Sequence, residues 1–287
     1  MTHPNFRNTL GLGICAALLL ALALFNPVAA QENSSAEPEN ETQSMAQDLL
    51  DTIHRFRLRN FMALNHYYNY TTDPDEELVS QINNDMDSSQ ELISRIDELA
   101  GESLTGTEMD DLSQAYQDFS DLMDTSIEDV RSSGYPDLRL LSDMANQAQN
   151  LSVLSEKLYN RVAEQDQTPT AEKVELARQA SVTMALMVTR YSARSSSSVA
   201  QVFQGADTEK SLDELARQFE DNLEELRSGA NSDNQLDSLL SDVNSKWQFI
   251  RESYINYDEE NVSFVINRYS TGIVETLEES IERLKAA

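Results

Sequence analysis

The sequence predicts an all-α protein of eight helices, arranged as tandem, duplicated up-down-up-down four-helix bundles. Three observations predict it: apolar stripes with heptad spacing, Pro and Gly confined to the ends of those stripes, and a second copy of the first half later in the chain. The clearest stripe runs through Leu236, Leu240, Val243, Trp247, Ile250, Tyr254 and Tyr257 in alternating steps of four and three. That spacing marks one face of a helix. After the acidic break Asp258 to Asn261, a further stripe carries Val265, Tyr269, Ile273, Leu277, Ile281 and Leu284. Two striped helices joined by so short a link must fold back antiparallel, because each can bury its stripe only against another helix.

Taken in order, residues 1–30 read as a signal peptide. Arg7 precedes an apolar run from Ile14 to Phe25, and Val28-Ala29-Ala30 places small residues where a signal peptidase needs them, with cleavage after Ala30. The run is shorter than the roughly 20 residues of a membrane span, so no stable span is expected after cleavage. Cys15 is the only cysteine and lies inside this segment, which leaves the mature chain without a thiol, a disulfide or a Cys metal ligand. An exported chain without disulfides must draw its stability from packing. Residues 31–43, acidic and containing Pro38, read as a disordered leader.

The first bundle is expected over 44–164, with helices near 44–70, 75–100, 107–132 and 137–164. The second is expected over 170–287, with helices near 170–204, 208–228, 233–257 and 262–285. Pro74, Pro136 and Pro169 stand at the expected helix starts, as the locked φ of proline favours. Gly101, Gly134, Gly205 and Gly229 each follow a stripe, where a left-handed cap is expected. Asp73-Pro74-Asp75-Glu76 and Ser232-Asp233-Asn234-Gln235 read as capping boxes. No stretch alternates with period two between turn residues, so no sheet is expected.

The duplication is read from matched stripes. Met62-Ala63-Leu64 matches Met184-Ala185-Leu186 at a shift of 122; Leu92, Ile96 and Leu99 match Phe219, Leu223 and Leu226 at 127. Met123, Ile127 and Val130 match Ile250, Tyr254 and Tyr257 at 127, with Phe119 and Trp247 as equivalent anchors. Leu138 and Leu141 match Val262 and Val265 at 124. The shift changes only between helices, as loop insertions would cause.

The formal charge is −29, from 50 acids and 21 bases. Removing residues 1–30 takes away Arg7 and no acid, leaving 20 bases and a charge of −30. Such a surface repels nucleic acid and anionic headgroups, so no nucleic-acid partner is expected. It also suits a protein exposed to high salt. Enzyme motifs are absent: there is no Gly-rich phosphate loop, no His-Glu-x-x-His, no Gly-x-Ser-x-Gly and no paired Cys. His54 and His66 are too far apart on one helix to share a metal directly, and no Asp/Asn/Gly run has calcium-loop spacing. No cofactor, metal or catalytic residue is therefore expected.

Arginines stand out in so acidic a chain. Arg55 and Arg59 on the first helix are four apart and share a face, with Arg57 between them. The fifth helix is apolar almost all round from Ala180 to Val188, as suits burial on several sides. It carries Arg178 near its start and Arg190, Tyr191 and Arg194 near its end, before the serines Ser195 to Ser198. These residues form the candidate site for a small anionic ligand, since guanidinium groups grip carboxylate and phosphate bidentately. The alternative is that they only neutralise neighbouring acids such as Asp51 and Glu175.

Leu176-Ala177-Arg178-Gln179, with Met184 and Arg190 beyond it, resembles the opening helix of the N-terminal sensor domain of type IV pilus methyl-accepting chemotaxis (PilJ-type) proteins, and Asn261 to Ser270 has a similar character. The resemblance implies an exported, all-helical bundle that senses a ligand or binds a partner. The expectation is therefore a non-enzymatic periplasmic or secreted binding or sensor-like accessory protein, with type IV pilus or chemotaxis-type sensing as the setting that the resemblance implies. Its partner would be a small anionic ligand or an envelope protein. The alternative is an envelope structural or assembly protein that presents a helical surface.

Overall fold

The computed structural model describes residues 36–165, 170–196, 210–228, 233–256 and 263–286, with residues 36–44 as backbone only. Among the described residues eight helices follow one another: α1 (Ala36–Thr72), α2 (Glu76–Ala100), α3 (Gly106–Ser133), α4 (Leu138–Gln165), α5 (Glu172–Ser196), α6 (Leu212–Arg227), α7 (Asn234–Ile255) and α8 (Ser263–Lys285). No strand occurs among the described residues. The signal segment, Cys15, Pro169, Ser197, Ser198, Gly205, Gly229, Tyr257 and Val262 lie outside the described residues.

The helix ends follow from local chemistry. Asp75 caps α2 by accepting from the Glu77 N–H at 3.0 Å, and Asp137 accepts from the Arg139 N–H at 2.8 Å ahead of α4. Pro74 and Pro136 therefore precede the cap residue and are not the first helical residue as expected. A proline there frees the following Asp, whose short acceptor the cap position needs. Thr105 and Glu108 form a reciprocal capping box at α3, and Asp233 caps α7 through the Gln235 and Leu236 N–H groups. The α6 helix starts at Leu212, later than expected, where Glu214 reaches back to the Ser211 N–H at 2.8 Å. Gly134 closes α3 at φ 81, the left-handed region that its missing Cβ permits.

Three further expectations need correction. The leader 31–43 is not wholly outside the helices, because α1 starts at Ala36. Pro38 then falls in the first turn, where its missing N–H has no intrahelical acceptor to lose. The α8 stripe is also displaced: Ile266 and Ser270 are buried, whereas Val265 and Tyr269 are only half-buried. Ser270 is admitted to the core because Tyr254 Oη hydrogen-bonds it at 2.7 Å. The expected α4 opening is affected as well, since Leu138 is exposed and Leu141 buried.

Each half closes the same circuit of packed helices, α1–α2–α3–α4–α1 and α5–α6–α7–α8–α5. In the first core Phe56 and Phe119 are completely buried, and in the second Phe219, Trp247 and Tyr254 are. Trp247 meets Phe219 edge-on at 4.8 Å and stacks on Tyr254 at 6.0 Å. The halves join along α1 and α5. Gln47 meets Thr170, Asp51 meets Arg178, the Phe61 carbonyl meets Thr189, and Asn65 meets Ser192. Both members of each pair advance together along the chain, so the helices run parallel. The separations of 123, 127, 128 and 127 residues exceed the shift of 122 read for this helix pair, so the two helices lie side by side and offset by up to about two turns.

Candidate functional site

That seam gives α1 two apolar stripes. Ile53, Phe56 and Leu64 enter the first core, and Leu58, Phe61 and Met62 enter the second. Between two stripes lie two grooves. At about 100° per residue, Arg57 points about 160° away from both Arg55 and Arg59, so the three arginines divide between opposite grooves. Arg57 faces a cleft of about 420 Å³ bounded by Leu50 and His54 on α1, Glu156 and Tyr159 on α4, and Arg178 on α5.

The cleft floor is a closed ionic network. Arg178, with only 3% of its side chain exposed, donates to Glu175 at 2.9 Å and to Tyr159 Oη at 3.2 Å. Its other terminal nitrogen meets Asp51 at 3.4 Å. Tyr159 in turn donates to both Glu175 oxygens, at 2.6 and 2.7 Å. Burial opposes the charge on Arg178, but Tyr159, Glu175 and Asp51 outweigh it and hold its pKa above the usual value. Burial also pushes the Tyr159 phenol up, so it stays a neutral donor. Asp51 gathers three cations: Arg55 at 3.1 Å, Lys285 at 3.2 Å and Arg178. Burial works against its carboxylate, yet Arg55, Lys285 and Arg178 together hold it below the usual carboxylate range.

Beside this network the pair Arg57 and Glu156 is open. Arg57 Nη2 lies 3.7 Å from Glu156 Oε2, beyond the roughly 2.7–2.9 Å of a hydrogen-bonded ion pair. Arg57 is 13% exposed at its side chain and Glu156 57%. The guanidinium rests over the Tyr159 ring at 6.0 Å, and its buried Nε has no hydrogen-bond partner among the described residues. Burial holds its pKa below the usual arginine value, with Glu156 and Tyr159 offsetting part of that. It remains charged at any ordinary pH. Arg178 Nε is likewise buried without a partner.

The other expected site residues are dispersed. Arg55 pairs with Asp51 and, at 2.7 Å, with Glu282 of α8. Arg59 pairs with Asp85 of α2 at 3.0 Å, on a carboxylate that His66 also reaches. Arg190 donates to the Lys210 carbonyl at 2.7 Å, Tyr191 is buried against the Tyr254 ring at 5.6 Å, and Arg194 is exposed. Of these residues only Arg178 lines the cleft, while Arg55 touches it indirectly through their shared Asp51. The structure adds Arg57, Glu156 and Tyr159.

His54 closes the back of the cleft. Its Nε2 lies 2.9 Å from Glu278 of α8, whose same oxygen accepts from Ser181 at 3.0 Å. Burial opposes the Glu278 charge, but His54 and Ser181 hold its pKa below the usual range. A second hollow of about 610 Å³, between α3 and α4, is lined by Asp118, Asp121 and Asp143 and carries charge of one sign only. Among the described residues no His, Cys, Asp or Glu cluster could hold a metal ion, and no helix is long and apolar enough to cross a membrane. The cleft's described lining offers charged groups and hydrogen-bonding side chains. No family model, curated protein or solved structure matches the chain.

Proposed function

We propose that this protein is an exported, sensor-like binding module, and that its inter-bundle cleft takes a small molecule through an anionic group, a carboxylate or a phosphate. The observation that carries the reading is Arg57. A guanidinium in a mostly buried place, with Nε unpartnered and no closed ion pair among the described residues, faces a cleft of about 420 Å³. That volume falls in the range of small-molecule sites. Buried charge is costly unless it is paired, so a residue left this way supports a ligand that completes it. The cleft joins two bundles, and a ligand held there would bias how they pack, which is what a sensor-like module needs. The resemblance of the α5 opening to pilus-linked sensor domains makes that setting the first to test. Anionic metabolites and cell-wall fragments should be screened by thermal shift at moderate salt. A hit should raise the melting temperature by mass action, survive Arg55→Ala and vanish in Arg57→Ala. No hit, or a hit that persists in Arg57→Ala, would reject the reading.

A second reading is favoured by the exposed rings Phe249 and Phe264, 63% and 71% exposed on α7 and α8. It makes the protein an envelope assembly factor that presents an aromatic face to a partner. Replacing both rings with Ser would then abolish co-purification of that partner without lowering the melting temperature.

A further inference from the structure

Resting on the binding reading above, we infer that the ligand is a zwitterion of amino-acid type, its carboxylate on Arg57 and its ammonium on Glu156. The inference comes from the charges that line the cleft. Among the described residues four formal charges do so, Arg57, Arg178, Glu156 and Glu175, while the lining His54 is engaged by Glu278. Arg178 and Glu175 already hydrogen-bond each other, and Tyr159 and Asp51 complete them. One positive and one negative group remain, Arg57 and Glu156, held 3.7 Å apart.

That remainder selects against the alternatives. A phosphate or dicarboxylate would bring two negative charges to one open guanidinium, close to Glu156 and Glu175 and within a chain of formal charge −29. A simple amine would meet Arg57. An α-amino acid carries both charges on substituents of one carbon, so it can bridge a loosely spaced guanidinium and carboxylate at once. Glu156 stands at the mouth, more than half exposed, and is free to swing outward as the ammonium arrives. Arg57 sits deeper, beside the Tyr159 ring, and its planar fork suits a bidentate carboxylate. Around them Asn160, Gln179, Thr183 and Gln218 supply uncharged hydrogen-bonding groups, while Leu50 and Val182 supply apolar wall. A cleft of about 420 Å³ has room for one amino acid or a short peptide.

The test is a calorimetric titration of the full chain with the standard L-amino acids, dialanine, succinate and inorganic phosphate. Each amino-acid hit is followed by its N-acetyl form, which keeps only the carboxylate, and its carboxamide, which keeps only the ammonium. The free zwitterion should bind about tenfold or more tighter than either blocked form, as expected when a charged partner is lost. Glu156→Gln, a change at an exposed position, should remove that advantage while leaving the N-acetyl form unaffected or tighter. Arg57→Gln should abolish binding of both. If succinate, phosphate or the N-acetyl form binds as tightly as any zwitterion and Glu156→Gln changes nothing, the zwitterion inference falls and the anion reading stands. If no probe binds, or binding survives Arg57→Gln, both fall.

Discussion

The two bundles repeat one circuit of helix contacts, yet they offer each other opposite surfaces. Along the seam α5 presents mostly small side chains, Ser181, Ala185 and Thr189, all fully buried, with Arg178 as the charged exception. The α1 helix presents bulk and charge, with Leu58, Phe61 and Met62 entering the core of the other bundle and Asp51, His54 and Arg57 beside them. Small residues let the helices approach until Thr189 Oγ1 reaches the Phe61 carbonyl at 3.0 Å. Had both copies kept large residues there, the seam would be overpacked; had both kept small ones, it would hold voids. The open ion pair, between α1 and α4 of the first bundle, borders that seam.

The anchors of the two cores give the strongest test of this likeness. Phe119 and Trp247 occupy equivalent positions and both are completely buried. Truncating either to Ala should cost roughly 3–5 kcal/mol. Trp247→Phe, which copies the side chain of the first bundle, should cost far less. The Trp247 Nε1 has no hydrogen-bond partner among the described residues, so the indole N–H gives little to lose. Thermal melts followed by circular dichroism decide it. An unchanged melt for Trp247→Ala would break the equivalence of the two cores.

Next in size is the seam itself. Asp51→Asn removes the charge shared by Arg55, Lys285 and Arg178 and leaves the last of these less compensated in the interior. Breaking a mostly buried pair in this way should cost about 3 kcal/mol at neutral pH. The folded-state pKa of Asp51 is depressed. Its charge therefore stabilises fully above the unfolded value of about 3.9, and that contribution is lost as pH falls through the folded value. The gap between wild type and Asp51→Asn should be widest near neutrality, hold down to about pH 4 and close below it. A gap independent of pH would mean that Asp51 acts through shape alone.

How legible these features were depends on how much each position's chemistry resembles its role. The α7 stripe was readable because every buried position from Leu236 to Tyr254 is apolar at heptad spacing. In α8 Ile273, Leu277 and Ile281 are buried as expected, but the buried face also includes Ser270, Thr276 and Ser280 while Tyr269 turns outward against Phe249, so the pattern pointed one residue off at its start. Arg178 was conspicuous as a base in an acidic chain, just ahead of the apolar run Ala180 to Val188. Arg57 was hidden because α1 carries two stripes, which look like one broad face until a second bundle is known to pack there. Arg55 and Arg59 then drew attention by their spacing, although they point into the other groove.

Salt should act on the whole chain and by a smaller amount. With a formal charge of −29, the folded state concentrates repulsion that added ions screen. The Debye length shrinks from about 10 Å at 0.1 M to about 3 Å at 1 M. The exposed pairs lose little on screening because they contribute little, whereas the seam pairs are shielded from solvent. The melting temperature should rise by a few degrees between about 0.05 M and about 1 M sodium chloride, since about 1 kcal/mol corresponds to roughly 2–4 °C in a chain of this size. A falling trend would show that the ion pairs joining the bundles outweigh the global repulsion.

The smallest expected effect is that of Arg55→Ala, and its smallness is what makes it useful. Arg55 has nearly half of its side chain in solvent and bonds Asp51 and Glu282 at the rim of the seam. Exposed pairs of this kind are worth about 0–1 kcal/mol. Asp51 keeps Lys285 and Arg178 when Arg55 is removed, so no buried carboxylate is left alone. The melt should therefore shift by at most a few degrees. Arg57→Ala removes an arginine two residues away on the same helix, but one that faces the cleft and has no closed ion pair. Its stability cost should also be modest, or the change could even stabilise, because a buried, incompletely paired charge is lost. The two variants should thus look alike in a melt without ligand and differ only when a ligand is present. If Arg55→Ala proves the more damaging to binding, the recognition groove is the one facing α2 and α8, and the assignment of the two grooves of α1 must be exchanged.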